Sequence, residues 1–126
     1  MAHNILYIED NPDNTTLVRR ALESRGYKLL SSANGVKGVA MAEAEEIDLI
    51  LLDINLPDID GYEVARRLRA SAKSELTTVP IIAVTANALK GDAEKALNAG
   101  CDVYMSKPIN IRELWARVEG FIPSPR

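Results

Sequence analysis

Apolar residues gather in five short runs, and in the stretches between the runs they recur at helical spacing. The first run is Ile5-Leu6-Tyr7-Ile8. Asn11-Pro12 then predicts a helix start, because proline at the first helical position gives up an N–H that has no partner there. Leu17, Val18, Ala21 and Leu22 fall on one face of that helix, and Gly26 marks its stop. Lys28 to Ser32 is a weaker strand, and Val36, Val39 and Ala40 mark a second helix rich in alanine and glutamate. Leu49-Ile50-Leu51-Leu52 is apolar at every position, as a strand covered on both faces requires. A turn from Leu56 to Gly61 leads into a third helix with Val64, Ala65 and Leu68 on its inner face. Pro80 opens a fourth strand, Ile81 to Val84, and Leu89, Ala93, Ala96 and Leu97 carry a fourth helix to Gly100. Val103-Tyr104-Met105 is the fifth strand; Ile111, Leu114, Trp115, Val118 and Ile122 stripe the last helix.

Strict alternation of strand and helix with short connections predicts an α/β fold, a parallel sheet with helices on both faces. No internal repeat, low-complexity tract or interdomain linker interrupts it. Residues 1–122 are expected to form one domain, and Pro123 to Arg126 a short tail that frays.

Composition narrows the class. At 126 residues the chain can bury an ordinary core without staples. Its 47% hydrophobic and 26% charged residues fit a globular protein. A net charge of −3 leaves no electrostatic footprint for nucleic acid or an anionic membrane. No secretory signal is visible, and no apolar run approaches the roughly 20 residues of a membrane helix. The one cysteine, Cys101, cannot form an internal disulfide; this fits a cytoplasmic location, and its expected role is that of a small buried hydrophobe. No G-x-G-x-x-G follows the first strand, which argues against a dinucleotide site.

The chemically loaded residues cluster just past the carboxyl ends of strands. Glu9 and Asp10 follow the first, Asp53 and Asn55 the third, Thr85 the fourth and Lys107 the fifth. Ligands of a doubly wound sheet bind beyond those ends, where strand order reverses. In the order 2-1-3-4-5 that crevice lies between strands one and three, bringing Glu9, Asp10 and Asp53 together. Three carboxylates there repel one another, and one lysine is too little to balance them. A hard divalent cation is the natural remedy, and an all-oxygen set suits Mg²⁺ better than zinc.

A carboxylate can attack phosphorus to give an aspartyl phosphate. Such a transfer asks the protein mainly for positioning and for neutralising charge on the equatorial oxygens, tasks that suit Mg²⁺, Lys107 and Thr85. Asp53 is the best acceptor, since it ends the most apolar strand, whereas the adjacent pair Glu9 and Asp10 suits a metal. Singly, each residue has a plainer reading: an acidic pair on a loop with Asp10 or Asn11 capping a helix, a hydroxyl in a turn, a solvated lysine. Their joint placement favours the site. Tyr104 needs no role beyond a half-buried edge-strand aromatic. Trp115 is expected to pack a helix face, and Arg66, Arg67 and Arg69 to form a solvated one.

These residues resemble the receiver domains of two-component response regulators. The anchors are Glu9-Asp10, the stretch Asp53-Ile54-Asn55-Leu56-Pro57 leading to Asp60-Gly61, Val84-Thr85-Ala86, and Ser106-Lys107-Pro108. Lys90-Gly91-Asp92 and Gly100 to Tyr104 are similar to stand-alone cell-cycle receivers and to receivers of hybrid kinases. The resemblance implies a flavodoxin-like, five-stranded sheet in the order 2-1-3-4-5 with five helices. It implies that Asp53 accepts phosphate from a phosphohistidine on a sensor kinase or a histidine phosphotransfer protein. Mg²⁺ would be held by Glu9, Asp10, Asp53 and the Asn55 backbone carbonyl, with Thr85 and Lys107 on the phosphoryl oxygens. Tyr104 takes the place of the family's switch aromatic, Lys107-Pro108 that of its cis peptide, and Asn55 and Asn87 positions that tune phosphate lifetime. The output is a changed contact with a downstream effector protein. The start at Met1 favours a single-domain regulator over an excised receiver. The competing class, a Mg²⁺-dependent phosphatase of the haloacid dehalogenase type, places an Asp-x-Asp pair after strand one and usually carries a cap; here strand one ends Glu9-Asp10-Asn11, with little length for a cap.

Overall fold

The computed structural model describes residues 3–86 and 91–124. Five strands, β1 (Asn4–Ile8), β2 (Lys28–Ser32), β3 (Leu49–Asp53), β4 (Ile81–Thr85) and β5 (Val103–Ser106), form one parallel sheet in the order β2-β1-β3-β4-β5. The helices are α1 (Pro12–Glu23), α2 (Gly35–Ala44), α3 (Gly61–Arg69), α4 (Asp92–Ala99) and α5 (Ile111–Phe121). A 3₁₀ turn over Ser74–Thr77, not anticipated from the apolar pattern, buries Leu76 before β4.

Alternation along the strands sends side chains to two cores. Leu6, Ile8, Ile50, Leu52, Ile81 and Ala83 face α2, α3 and α4. Ile5, Tyr7, Leu49, Leu51, Ile82 and Met105 face α1 and α5. Every residue of β3 and β4 is buried, which explains their unbroken apolar runs. Asn11, Asn34, Asp60 and Asn110 cap α1, α2, α3 and α5, each accepting a backbone N–H of the first turn through its side chain.

Several helix faces differ from the expected ones. Leu17 and Leu97 are about half exposed, at 46% and 49%, so α1 turns Val18, Ala21 and Leu22 inward and α4 turns Ala96 and Ala99 inward. In α2 the buried positions are Gly35, Gly38 and Ala42, while Val36 and Ala40 are exposed. The helix lies too close to the sheet for anything larger: a Cβ on Gly38 would meet Ile8 Cδ1 at 2.6 Å. Arg69 is not on a solvated face. It donates to the carbonyls of Gly100 and Leu76 and pairs with Asp102. At the start of the tail, Ser124 Oγ donates to the Arg25 carbonyl at 2.6 Å. Leu89, Lys90 and Asn87, and the tail residues Pro125 and Arg126, lie outside the described residues.

Candidate acceptor site at the carboxyl edge of the sheet

The crevice between β1 and β3 is built by the ends of neighbouring strands. Asp53 is the last residue of β3 and is 1% exposed; Glu9 follows β1 and is 3% exposed. Both lie on the side of the sheet that faces α1 and α5, in phase with Leu51 and Tyr7. The Glu9 N–H extends the ladder to the Ser32 carbonyl at 2.9 Å, which fixes its backbone. Behind Asp53 the chain continues into β4's ladder, Ile54 N–H to Val84 O at 3.0 Å, then turns back through Gly61 N–H to Ile54 O at 2.9 Å. Gly61 is obligatory there, because a Cβ would sit 2.7 Å from the Asp53 carbonyl oxygen.

Lys107 bridges the two buried acids, its Nζ 3.1 Å from Glu9 Oε1 and 3.2 Å from Asp53 Oδ1. It follows β5, and its N–H donates to the Thr85 carbonyl at 2.8 Å, so lysine and threonine are locked side by side. The Lys107–Pro108 peptide is cis. Thr85 is buried at the end of β4, one residue beyond Val84, the partner of Asp53. Asn55 places its backbone N–H on Asp53 Oδ1 at 3.2 Å. Glu9, Asp10 and Asp53 each offer an oxygen within 4.8 Å of the others, with Asp10 the exposed member. This hard, anionic, all-oxygen set fits a divalent cation such as Mg²⁺.

Electrostatics follow from burial and contact. Burial, and then the neighbouring Glu9, raises Asp53 above the ordinary carboxylate range, against the pull of Lys107. Burial also works to raise Glu9, but hydrogen bonds with Asp53, Asn14 and Lys107 outweigh it and keep Glu9 low. The two carboxyls titrate as an interacting pair, not independently. Burial disfavours the Lys107 ammonium, yet Asp53 and Glu9 more than compensate and raise it.

Tyr104 stands apart. Paired with Ala83 on β5, it is 37% exposed and lies on the same side of the sheet as Thr85. Three residues around the site went unnoticed in the sequence. Tyr7 and Asn14 both donate to Glu9 Oε1, at 3.1 and 3.0 Å. Asp58, on the loop after Asp53, ties that loop to α2. The tyrosine was hidden in an apolar run, and the other two act through partners that only the folded chain brings near.

A sheet wound in this order, with a lysine-bridged acidic crevice at its switch point, defines a receiver. Residues 5–119 match the family model described as the response regulator receiver domain, and the chain belongs to that family. It is 37% identical to the polar-differentiation response regulator DivK of Brucella anthropi, over 97% of this chain and 98% of that one. The receiver domain of the sensor histidine kinase PA1611 from Pseudomonas aeruginosa PAO1, solved with a magnesium ion coordinated in its active site cleft, is 42% identical. The match covers 98% of this chain and 100% of that one, with a TM-score of 0.88. The Ssk1 receiver of Saccharomyces cerevisiae, co-crystallised with the histidine phosphotransfer protein Ypd1, belongs to a further match at 28% identity and a TM-score of 0.87. That match covers 95% of this chain and 88% of the other. Among the described residues no helix is long and apolar enough to cross a membrane.

Proposed function

We propose that this chain is a phosphorylation-switched receiver that takes a phosphoryl group onto Asp53 from a phosphohistidine of a partner protein and signals through altered protein contacts. The observation that carries this reading is the Lys107 ammonium lodged between Asp53 and Glu9 in a buried acidic crevice. An Asp53 oxygen forms the O–P bond while the P–N bond to the donor imidazole breaks, and the imidazole leaves with the electron pair and takes up a proton. Lys107 and the Thr85 hydroxyl are the groups assigned to the phosphoryl oxygens, where fixed donors stabilise charge that spreads during transfer. Glu9, Asp10, Asp53 and the Asn55 carbonyl are the residues assigned to Mg²⁺. The ion, when bound, neutralises the crevice and the incoming phosphate. The chain thereby promotes its own phosphorylation and the slow hydrolysis of the product, without turning over a separate substrate.

Two surfaces support the partner assignments. A groove of about 370 Å³ lined by Asn14, Leu17, Lys107, Pro108 and Ile109 adjoins the crevice, offering an apolar seat for a phosphohistidine donor. The magnesium of the PA1611 receiver and the Ypd1 partner of Ssk1 fit the same assignments. On the output side, Leu97, Tyr104 and Arg117 line a groove of about 200 Å³ for an effector. A phosphoryl group drawing in Thr85 opens space for Tyr104 to turn inward and reshapes that face. Residues 1–122 are the receiver unit in this reading, acting in the cytoplasm.

Intact-protein mass measurement after exposure to a small acyl phosphate tests the acceptor. The wild type should gain one base-labile phosphoryl group, dependent on Mg²⁺, that Asp53→Asn does not gain. Equal labelling of both proteins would reject Asp53.

A further inference from the structure

Glu9 Oε1 receives three donors: the Tyr7 hydroxyl at 3.1 Å, the Asn14 side-chain amide at 3.0 Å and the Lys107 ammonium at 3.1 Å. Its other oxygen, Oε2, takes the Asn11 N–H at 3.4 Å, and the carboxylate is also hydrogen-bonded with Asp53. The carboxylate is therefore oriented: three donors converge on Oε1, whereas the protein donor on Oε2 is one long backbone N–H. Two of the three donors are neutral and built into the fold. Tyr7 is fully buried between β1 and the α1/α5 core, and Asn14 sits on the first turn of α1, held there by the Asn11 cap.

The third donor has competing work. Lys107 is divided between Glu9 and Asp53, and in the proposed reaction it turns to a phosphoryl oxygen. A carboxylate 3% exposed that lost its ammonium would be a stranded buried charge unless other donors stayed behind.

We propose that Tyr7 is a positioning residue of the acceptor site. Together with Asn14 it fixes Glu9 Oε1, so that Oε2 is the oxygen presented to the divalent cation and Lys107 can leave Glu9 without stranding its charge. The inference rests on the receiver reading above and assigns to a core tyrosine an effect on metal and phosphoryl acceptance. The plainer reading is that Glu9 merely satisfies a buried hydroxyl. Tyr27 supplies the control: it is a second buried tyrosine in the same core, and its hydroxyl donates to the Ile122 carbonyl at 2.6 Å, with no contact to the crevice.

The experiment compares Tyr7→Phe, Tyr27→Phe and wild type by calorimetric titration with Mg²⁺ alone, thermal melting, and acyl-phosphate labelling at saturating Mg²⁺. Loss of an outer partner of a metal ligand costs about tenfold or more in metal affinity. The Mg²⁺ Kd of Tyr7→Phe should rise by about that factor and its labelling should slow, while Tyr27→Phe loses melting temperature with Kd unchanged. An unchanged Kd and labelling rate in Tyr7→Phe overturn the positioning role and leave the receiver reading intact. A wild type that neither binds Mg²⁺ nor takes label sinks that reading and this inference with it. Should Tyr7→Phe fold poorly, Asn14→Ala tests the same clamp from the helix surface; unchanged Mg²⁺ binding there overturns the proposal too.

Discussion

Asp58 and Gly35, 23 positions apart, are joined by a hydrogen bond of 2.8 Å from the glycine N–H to Oδ1, while Oδ2 takes the Val36 N–H at 2.9 Å. One carboxylate on the loop after β3 thus caps α2 from outside its own chain segment. The Val36 N–H, followed by that of Gly35, holds Asp58 down to about 2 from an ordinary 3.8. A carboxyl depressed in the folded state stabilises it above the unfolded pKa and loses that effect as pH falls through the folded value. Asp58→Asn should therefore melt below wild type at neutral pH. The gap should close as pH drops from about 4 toward about 2. Melting curves across that range check it, and a gap independent of pH would count against the clamp.

The Asp53–Glu9 crevice works in the opposite direction. Asp53 is raised by burial and by Glu9 from 3.8 to about 6, so between those values the folded chain holds a proton that the unfolded chain has lost. Stability from this group falls as pH rises from the ordinary carboxylate range upward. Asp53→Asn removes the repulsion and should raise the melting temperature at neutral pH by roughly 3 to 6 °C, the equivalent of about 1 kcal/mol for a domain of this size. Saturating Mg²⁺ should shrink that advantage by stabilising the wild type alone. Calorimetric scans with and without the ion measure both effects.

Arg69 binds three segments at once. Its guanidinium reaches the carbonyls of Gly100 and Leu76 and the Asp102 carboxylate, and Asp102 in turn accepts the Ile81 N–H at 2.8 Å. Gly100 ends α4 at a φ of 116°, with Arg69 Cγ 2.7 Å from where a Cβ would stand. Arg69→Ala should cost about 2–3 kcal/mol in denaturant unfolding, the loss expected for hydrogen bonds to a charged group. Arg69→Lys should recover little, since an ammonium cannot span the same fork.

How far the sequence alone carries the argument depends on whether a signal is local. β3 and β4 were legible because both faces of each are covered, so nearly every position in them is apolar. The residues Glu9, Asp10, Asp53, Thr85 and Lys107 were legible as a group because a doubly wound sheet converts four separate strand ends into one crevice. Leu17 and Leu97 misled because helical spacing marks an apolar stripe without saying where the sheet meets it. Arg69 was misplaced for a related reason. In Arg66-Arg67-Arg69 all three are cationic, yet Arg66 and Arg67 turn to Glu63 while Arg69 turns to the β5 loop. Tyr7 and Asp58 were invisible because their roles depend on donors and acceptors that only the folded sheet assembles.

The proposed output depends on the path from Thr85 to Tyr104. Strand register pairs Thr85 with Ser106 and Ala83 with Tyr104, which sets the threonine and the tyrosine on one side of the sheet, two positions apart along the ladder. Tyr104 begins at 37% exposure, so its ring is open to reagents in the unphosphorylated protein. A phosphoryl group on Asp53 that draws the Thr85 hydroxyl inward vacates the space this ring would enter. Nitration of Tyr104, located by peptide mass mapping, should fall several-fold on phosphorylation of the wild type. Thr85→Ala should still accept phosphate, more slowly for want of one donor, yet leave Tyr104 as reactive as before. Equal protection in both proteins would show that the ring moves without the threonine, and no protection in either would remove Tyr104 from the switch.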